Sequence, residues 1–286
     1  MVNLNIKKIE TKYCILFGEY IIEEGKVKES PMYILSGREK RMISDNILTN
    51  QSYFGDGKYI GYLNSYDSLK KSNKNLSGYL IGLYDSHTGK ITELLESKTK
   101  TKQIIRSIKN NSIVVYGEDN CGIIEYDLNS KEKKMIIKFD IYKGHQVYVS
   151  ENGKNAYYHR KGRINKLSLE SNESIDICDS CAEFAISKDE SFAIVIRKKD
   201  DSYIVDSINL VNGNRTELFK SKEYISNIRI SEDNSQILYR ITKELGVADV
   251  SQTLIYLYDI NKNTRKLLYK SKFFNSTQSI CWGECC

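Results

Sequence analysis

At 286 residues, with 40% hydrophobic and 28% charged side chains, the chain can bury a sizeable core and does not require a second domain. Its net charge of +6 comes from Lys and Arg spread over turns and strand edges, so no nucleic-acid partner is expected. No apolar run approaches the ~20 residues of a membrane span and the N-terminus lacks a signal-peptide core, so the expectation is a cytoplasmic protein without membrane attachment.

Residues 1–46 read as a degenerate first unit. Tyr13-Cys-Ile-Leu-Phe17 and Tyr20-Ile-Ile22 form one long strand with Gly18 at a bulge or kink. Pro31-Met-Tyr-Ile-Leu35 and Arg41-Met-Ile43 form its outer hairpin. Residues 47–97 carry a strand–turn–strand around Asp56 and a hairpin from Tyr84 to Leu95, separated by a polar insertion from Ser65 to Asn75. Residues 98–139 repeat the pattern around Asn110, with a hairpin from Tyr126 to Ile137. Residues 140–179 repeat it around Asn152, and residues 180–222 around Asp189, with Asn212-Gly213 in the hairpin. Residues 223–272 give the clearest copy: Ile230 to Arg240 around Asp233, a loop from Thr242 to Ser251, then strands from Leu254 to Ile260 and Arg265 to Tyr269.

The repeated turn has a physical reason. An Asp or Asn side chain bonds backbone amides just after it, and Gly or Asn tolerates positive φ, so the chain reverses between two strands. The turns recur at roughly 37 to 54 residues, within the period of four-stranded sheets stacked in an array. About six such units are expected. The last segment, 273–286, aligns with the first strand of a unit, with Ile280 and Trp282 where Ile228 and Ile230 sit. It either closes the array by pairing with the first unit or begins a truncated further one.

The Ser-x-Asp/Asn turn followed by an apolar strand, then Tyr-Asp and a Gly/Asn hairpin, resembles the repeat of TolB-like β-propellers. The same blade occurs in the propeller domains of prolyl-oligopeptidase-type enzymes. The resemblance runs from about Ile47 to Ser271, and departs from the family where Lys188, Glu232 or Glu151 replaces the Pro before the turn residue. It implies an all-β propeller of about six four-stranded blades, with seven an alternative. It says little about activity, because propellers host many functions.

No catalytic constellation stands out. There are seven cysteines; Cys178-Asp-Ser-Cys181 and Cys281, Cys285 and Cys286 have spacings that metal sites use, but a propeller would place the two groups on opposite faces. Free thiols are the simpler reading, and a CxxC redox pair lacks a thioredoxin-type setting. Gly-x-Ser-x-Gly and the Gly-rich phosphate loops are absent. His87 and His159 read as surface residues. What remains is a set of polar residues entering the inner strands at equivalent places: Asn50, Gln146, Glu183, Asn227 and Ser279, with His145 at the channel mouth. These either solvate an axial channel or line a shallow ligand site. The expected function is a non-catalytic binding or scaffolding module for a protein, peptide or small polar ligand, with no cofactor and no metal. The alternatives are the substrate-gating propeller of a split or truncated serine peptidase, and a metal-dependent enzyme using the cysteine-rich tail.

Overall fold

The structure, a computed structural model, describes residues 13–23, 26–29, 32–36, 39–44, 54–55, 59–65, 79–85, 91–97, 101–109, 112–117, 122–127, 130, 132–138, 146–150, 152–244, 251–271 and 276–284. Among these residues every sheet is antiparallel and there is no helix. The first sheet holds β1 (Tyr13–Glu23), β2 (Lys26–Glu29), β3 (Met32–Ser36) and β4 (Glu39–Ser44). The second holds β5 (Phe54–Gly55), β6 (Tyr59–Ser65), β7 (Tyr79–Asp85) and β8 (Ile91–Ser97). The third holds β9 (Thr101–Lys109), β10 (Ser112–Gly117), β11 (Gly122–Asp127) and β12 (Lys133–Lys138). The fourth holds β13 (Val147–Val149), β14 (Asn155–Arg160), β15 (Arg163–Ser168) and β16 (Ser174–Cys178). The fifth holds β17 (Cys181–Ile186), β18 (Phe192–Lys199), β19 (Ser202–Asn209) and β20 (Arg215–Ser221). The sixth holds β21 (Tyr224–Ile230), β22 (Gln236–Glu244), β23 (Ser251–Asp259) and β24 (Thr264–Lys270). The last strand, β25 (Ser276–Glu284), joins the first sheet by pairing with β1.

The turn between the first two strands of a sheet is built on a buried serine. Ser150, Ser187 and Ser231 are at most 1% exposed. Each hydroxyl accepts the amide five residues on: Asn155 at 2.9 Å, Phe192 at 3.0 Å and Gln236 at 2.9 Å. The Ser150 and Ser231 hydroxyls also donate to Asn152 and Asp233, each at 2.7 Å. Each serine carbonyl accepts the amide three residues on, at 2.9 Å, and that residue has positive φ: Gly153 at 71°, Glu190 at 56° and Asn234 at 59°. The serine thus replaces the ladder bonds that the turning backbone forfeits.

The second strands of the fifth and sixth sheets are apolar on both faces, because each sheet lies between two others. In β18, Ala193 and Val195 pack with Tyr157, Ile164 and Phe184 toward the fourth sheet. The alternate residues Ile194 and Ile196 pack with Ile228, Ile237 and Tyr239 of the sixth. In β22, Leu238 turns the other way and joins Ile255, Ile15, Phe17 and Leu35, so the sixth sheet packs on the first. Burying an Ile or Phe side chain contributes about 1.5–3 kcal/mol, and only stacking covers both faces.

The innermost strands touch in cyclic order. β25 contacts β5, β5 contacts β9, β9 contacts β13, β17 contacts β21, and β21 contacts β25. Between the fourth and fifth sheets the contact runs from β14 to β17. Closure is covalently remote: β1 pairs with β25 from Tyr13↔Glu284 through Phe17↔Ile280, shifts register at Gly18, and continues at Glu19↔Thr277. Of the two readings of the C-terminal segment, ring closure is the observed one, and the expected bulge lies at Gly18. Lys40 ties the first sheet to the sixth, its Nζ 3.6 Å from the Tyr33 ring centroid and donating to the Tyr269 hydroxyl at 3.0 Å.

Candidate functional site

Each sheet runs up and down in sequence, so an innermost strand starts at the rim where the second strand ends. Glu183 and Tyr224, near the starts of β17 and β21, therefore share a rim with Arg240, which pairs with Ser226 near the end of β22. The chain leaves and re-enters at this rim between Ser65 and Tyr79 and between Glu244 and Ser251.

Of the polar inner-strand residues, Gln146, Glu183 and Asn227 are described and half-buried. Ser279 lies within β25, while Asn50 and His145 fall outside the described residues. Gln146 Oε1 accepts the Phe184 amide at 3.0 Å. Glu183 does the same one sheet further on, its two oxygens accepting the Asn227 and Ile228 amides, each at 2.9 Å. Two consecutive amides can converge on one carboxylate because Asn227 sits at φ 54° in a register shift between Ser226 and Arg229. Gln146 and Glu183 thus join neighbouring innermost strands that share no ladder.

Around Glu183 lie residues that the sequence reading missed. Arg240 is half-buried, and its Nε donates to the Ser226 hydroxyl at 3.0 Å. Burial pushes the Arg240 guanidinium below its usual range, opposed by the nearby Glu183 carboxylate and Tyr224. Burial raises the Tyr224 phenol, and Glu183 raises it further. Tyr224 is nevertheless 48% exposed and meets Tyr203 edge-on at 5.3 Å between ring centroids. An acid, a guanidinium, a hydroxyl and two phenols thus meet at one rim. The signal in the sequence is Arg240 itself, a charge inside the apolar run Ile237-Leu-Tyr-Arg-Ile241.

Cys178 and Cys181 also lie at this rim, where β16 passes into β17. They form a disulfide, with Cα atoms 6.7 Å apart, across a turn in which Ser180 takes φ 56°. This corrects the free-thiol reading: the tight turn brings both buried sulfurs together. His159 is half-buried rather than a surface residue, its Nε2–H donating to the Cys181 carbonyl at 2.6 Å. Cys281 belongs to β25 opposite Leu16, and His87, Cys285 and Cys286 fall outside the described residues. Among the described residues no three His, Cys, Asp or Glu side chains gather as a metal site. No helix among them is long and apolar enough to cross a membrane.

No protein-family model matches the chain, and no curated protein matches it. Solved structures do. TolB from Acinetobacter baumannii superposes with a TM-score of 0.71 at 15% identity, covering 94% of this chain and 66% of TolB. The fold is a TolB-like β-propeller. A chain of the nidogen/laminin complex matches the propeller with a TM-score of 0.59 at 10% identity, over 96% of this chain and 100% of that one. An oligogalacturonate lyase in complex with manganese matches with a TM-score of 0.52 at 12% identity, over 90% and 73%. The propeller spans just under two thirds of the TolB chain, and these identities establish fold rather than activity.

Proposed function

We propose that the propeller is a non-catalytic binding module that recognises a protein, peptide or small polar ligand at the rim carrying Glu183, Tyr224 and Arg240. The observation that carries the reading is Arg240, a cation half-buried among acceptors beside an exposed tyrosine. A guanidinium partly removed from water, next to amphipathic rings, favours a ligand with a carboxylate or other planar acceptor. Neighbours of this fold include the nidogen/laminin complex, an assembly of proteins, and a lyase, so fold alone selects neither role. The reading needs no cofactor, nucleic acid or membrane, and it keeps the cytoplasm as the compartment.

The test is affinity capture from the source organism with the immobilised chain. A partner retained by the wild type and lost from Tyr224→Ala supports the reading. Hydrolytic turnover by the purified chain, or one bound equivalent of zinc or iron, refutes it.

A further inference from the structure

The Cys178–Cys181 disulfide lies beside a cluster of charged side chains of the fifth sheet. The Arg215 guanidinium reaches from β20, its Nη2 3.0 Å from Cys178 Sγ. The other side of the same guanidinium faces Asp206, with Nε 3.9 Å from Oδ2. Asp206 is 1% exposed and receives Arg197 Nε at 2.5 Å on that oxygen, while its Oδ1 has no hydrogen-bond partner among the described residues. Asp179 and Glu217 are the remaining charged neighbours of this cluster, and His159 on β14 holds the Cys181 carbonyl. Arg197, half-buried, and Arg215, more exposed, thus both face one buried carboxylate. Arg215 is the arginine farther from the Asp206 oxygen, and the group its Nη2 touches is a cysteine sulfur.

We propose that Cys178 and Cys181 form a dithiol–disulfide redox centre that exchanges with small dithiols, with Arg215 stabilising the Cys178 thiolate. A disulfide gives up most readily the sulfur that leaves as the more stable thiolate, and a neighbouring cation supplies that stability. The reductant's thiolate attacks Cys181 Sγ, the Cys178–Cys181 bond breaks, and Cys178 leaves as a thiolate against Arg215. The reductant's second thiol then attacks its own sulfur in the mixed disulfide, releasing Cys181. Two electrons pass from the dithiol, which becomes a cyclic disulfide. Of its two protons, one protonates Cys181 and the other goes to solvent. Asp179 and Ser180, both exposed, give the reagent its approach through the turn.

The test follows each cysteine of the full chain by peptide mass spectrometry after differential alkylation. In an oxidising glutathione buffer, a linked 178–181 peptide forms and dithiothreitol removes it. In the reduced chain, Arg215→Gln slows alkylation of Cys178 at pH 7 about threefold and moves the midpoint of its pH–rate profile up by about one pH unit, while Arg215→Lys restores most of both. The wild-type midpoint also rises with added salt, which serves if Arg215→Gln does not fold. A chain that forms no linked peptide, a Cys178 profile unchanged in Arg215→Gln, or a salt-independent midpoint where that variant is unfolded overturns the proposal.

Discussion

Replacing Glu183 with Ala isolates the bond between two innermost strands that no sheet ladder joins. The carboxylate accepts the Asn227 and Ile228 amides at 2.9 Å each. Hydrogen bonds to a charged group are worth about 1.5–3 kcal/mol each, and removing the acceptor leaves two amides of a distorted strand to find water. Glu183 is half-buried, so water recovers part of the loss, and about 3 kcal/mol is expected. In a chain of this size that lowers Tm by about 6–12 °C. Gln146→Ala is the internal control, because Gln146 makes the equivalent bond once and without charge, to Phe184 at 3.0 Å. Its cost should be about 1 kcal/mol, and Glu183→Gln should fall between the two. Thermal unfolding followed by far-UV circular dichroism, with urea midpoints at unchanged slope, measures all three. A Glu183→Ala Tm no lower than that of Gln146→Ala would refute the argument that the carboxylate joins the strands.

Glu190 accepts from Asn155 Nδ2 at 2.8 Å, Asn152 Nδ2 at 3.2 Å and the Tyr157 hydroxyl at 2.7 Å across two sheets, so Glu190→Ala should cost about 2–3 kcal/mol in urea unfolding. Burial, with the bond to Glu190 adding to it, raises the Tyr157 phenol, and burial likewise raises Tyr239. Folded pKa values above the unfolded one mean that stability is intact below about pH 10 and falls as pH rises beyond it, because the unfolded chain then sheds protons first. Absorbance at 295 nm should show these tyrosines ionising only as the fold is lost. At the acid end, the bond from Ser231 holds the Asp233 carboxyl below its usual range, so its contribution is present above the unfolded pKa and lost as pH falls through the folded one. Ser231→Ala should move that acid transition to higher pH and cost about 1–2 kcal/mol at neutral pH, read from urea curves.

The repeat was legible because its turns depend on local chemistry. Ser150, Ser187 and Ser231 bond residues within five positions, and Gly153, Glu190 and Asn234 take the positive φ that closes each turn. The hairpin at Asn212-Gly213 was equally local, with Gly213 at φ 74°. Ring closure could be foreseen only as one of two outcomes, since pairing of β25 with β1 depends on strands at opposite ends of the sequence. The site was less legible. Glu183 lies on an innermost strand and Gln146 just before one, but a polar side chain there looks the same whether it faces a ligand or the next sheet's amides. Which it faces is decided by the bulge at Asn227, which leaves no pattern in the sequence. The local CxxC pair was visible as a motif, but the arginine beside it was hidden for a similar reason. Cys178 and Arg215 are 37 residues apart on different sheets, and only stacking brings them together.

The pairing of β25 with β1 sets the order of events during synthesis. Until residues 276–284 have left the ribosome, Ile15 and Phe17 wait beside an unmatched backbone edge while the later sheets can already stack. The wheel therefore stays open at β1 until β25 arrives, and β25 acts as the latch. A polypeptide stalled shortly before residue 276 should be recognised by chaperones as unfinished, however well its middle has formed.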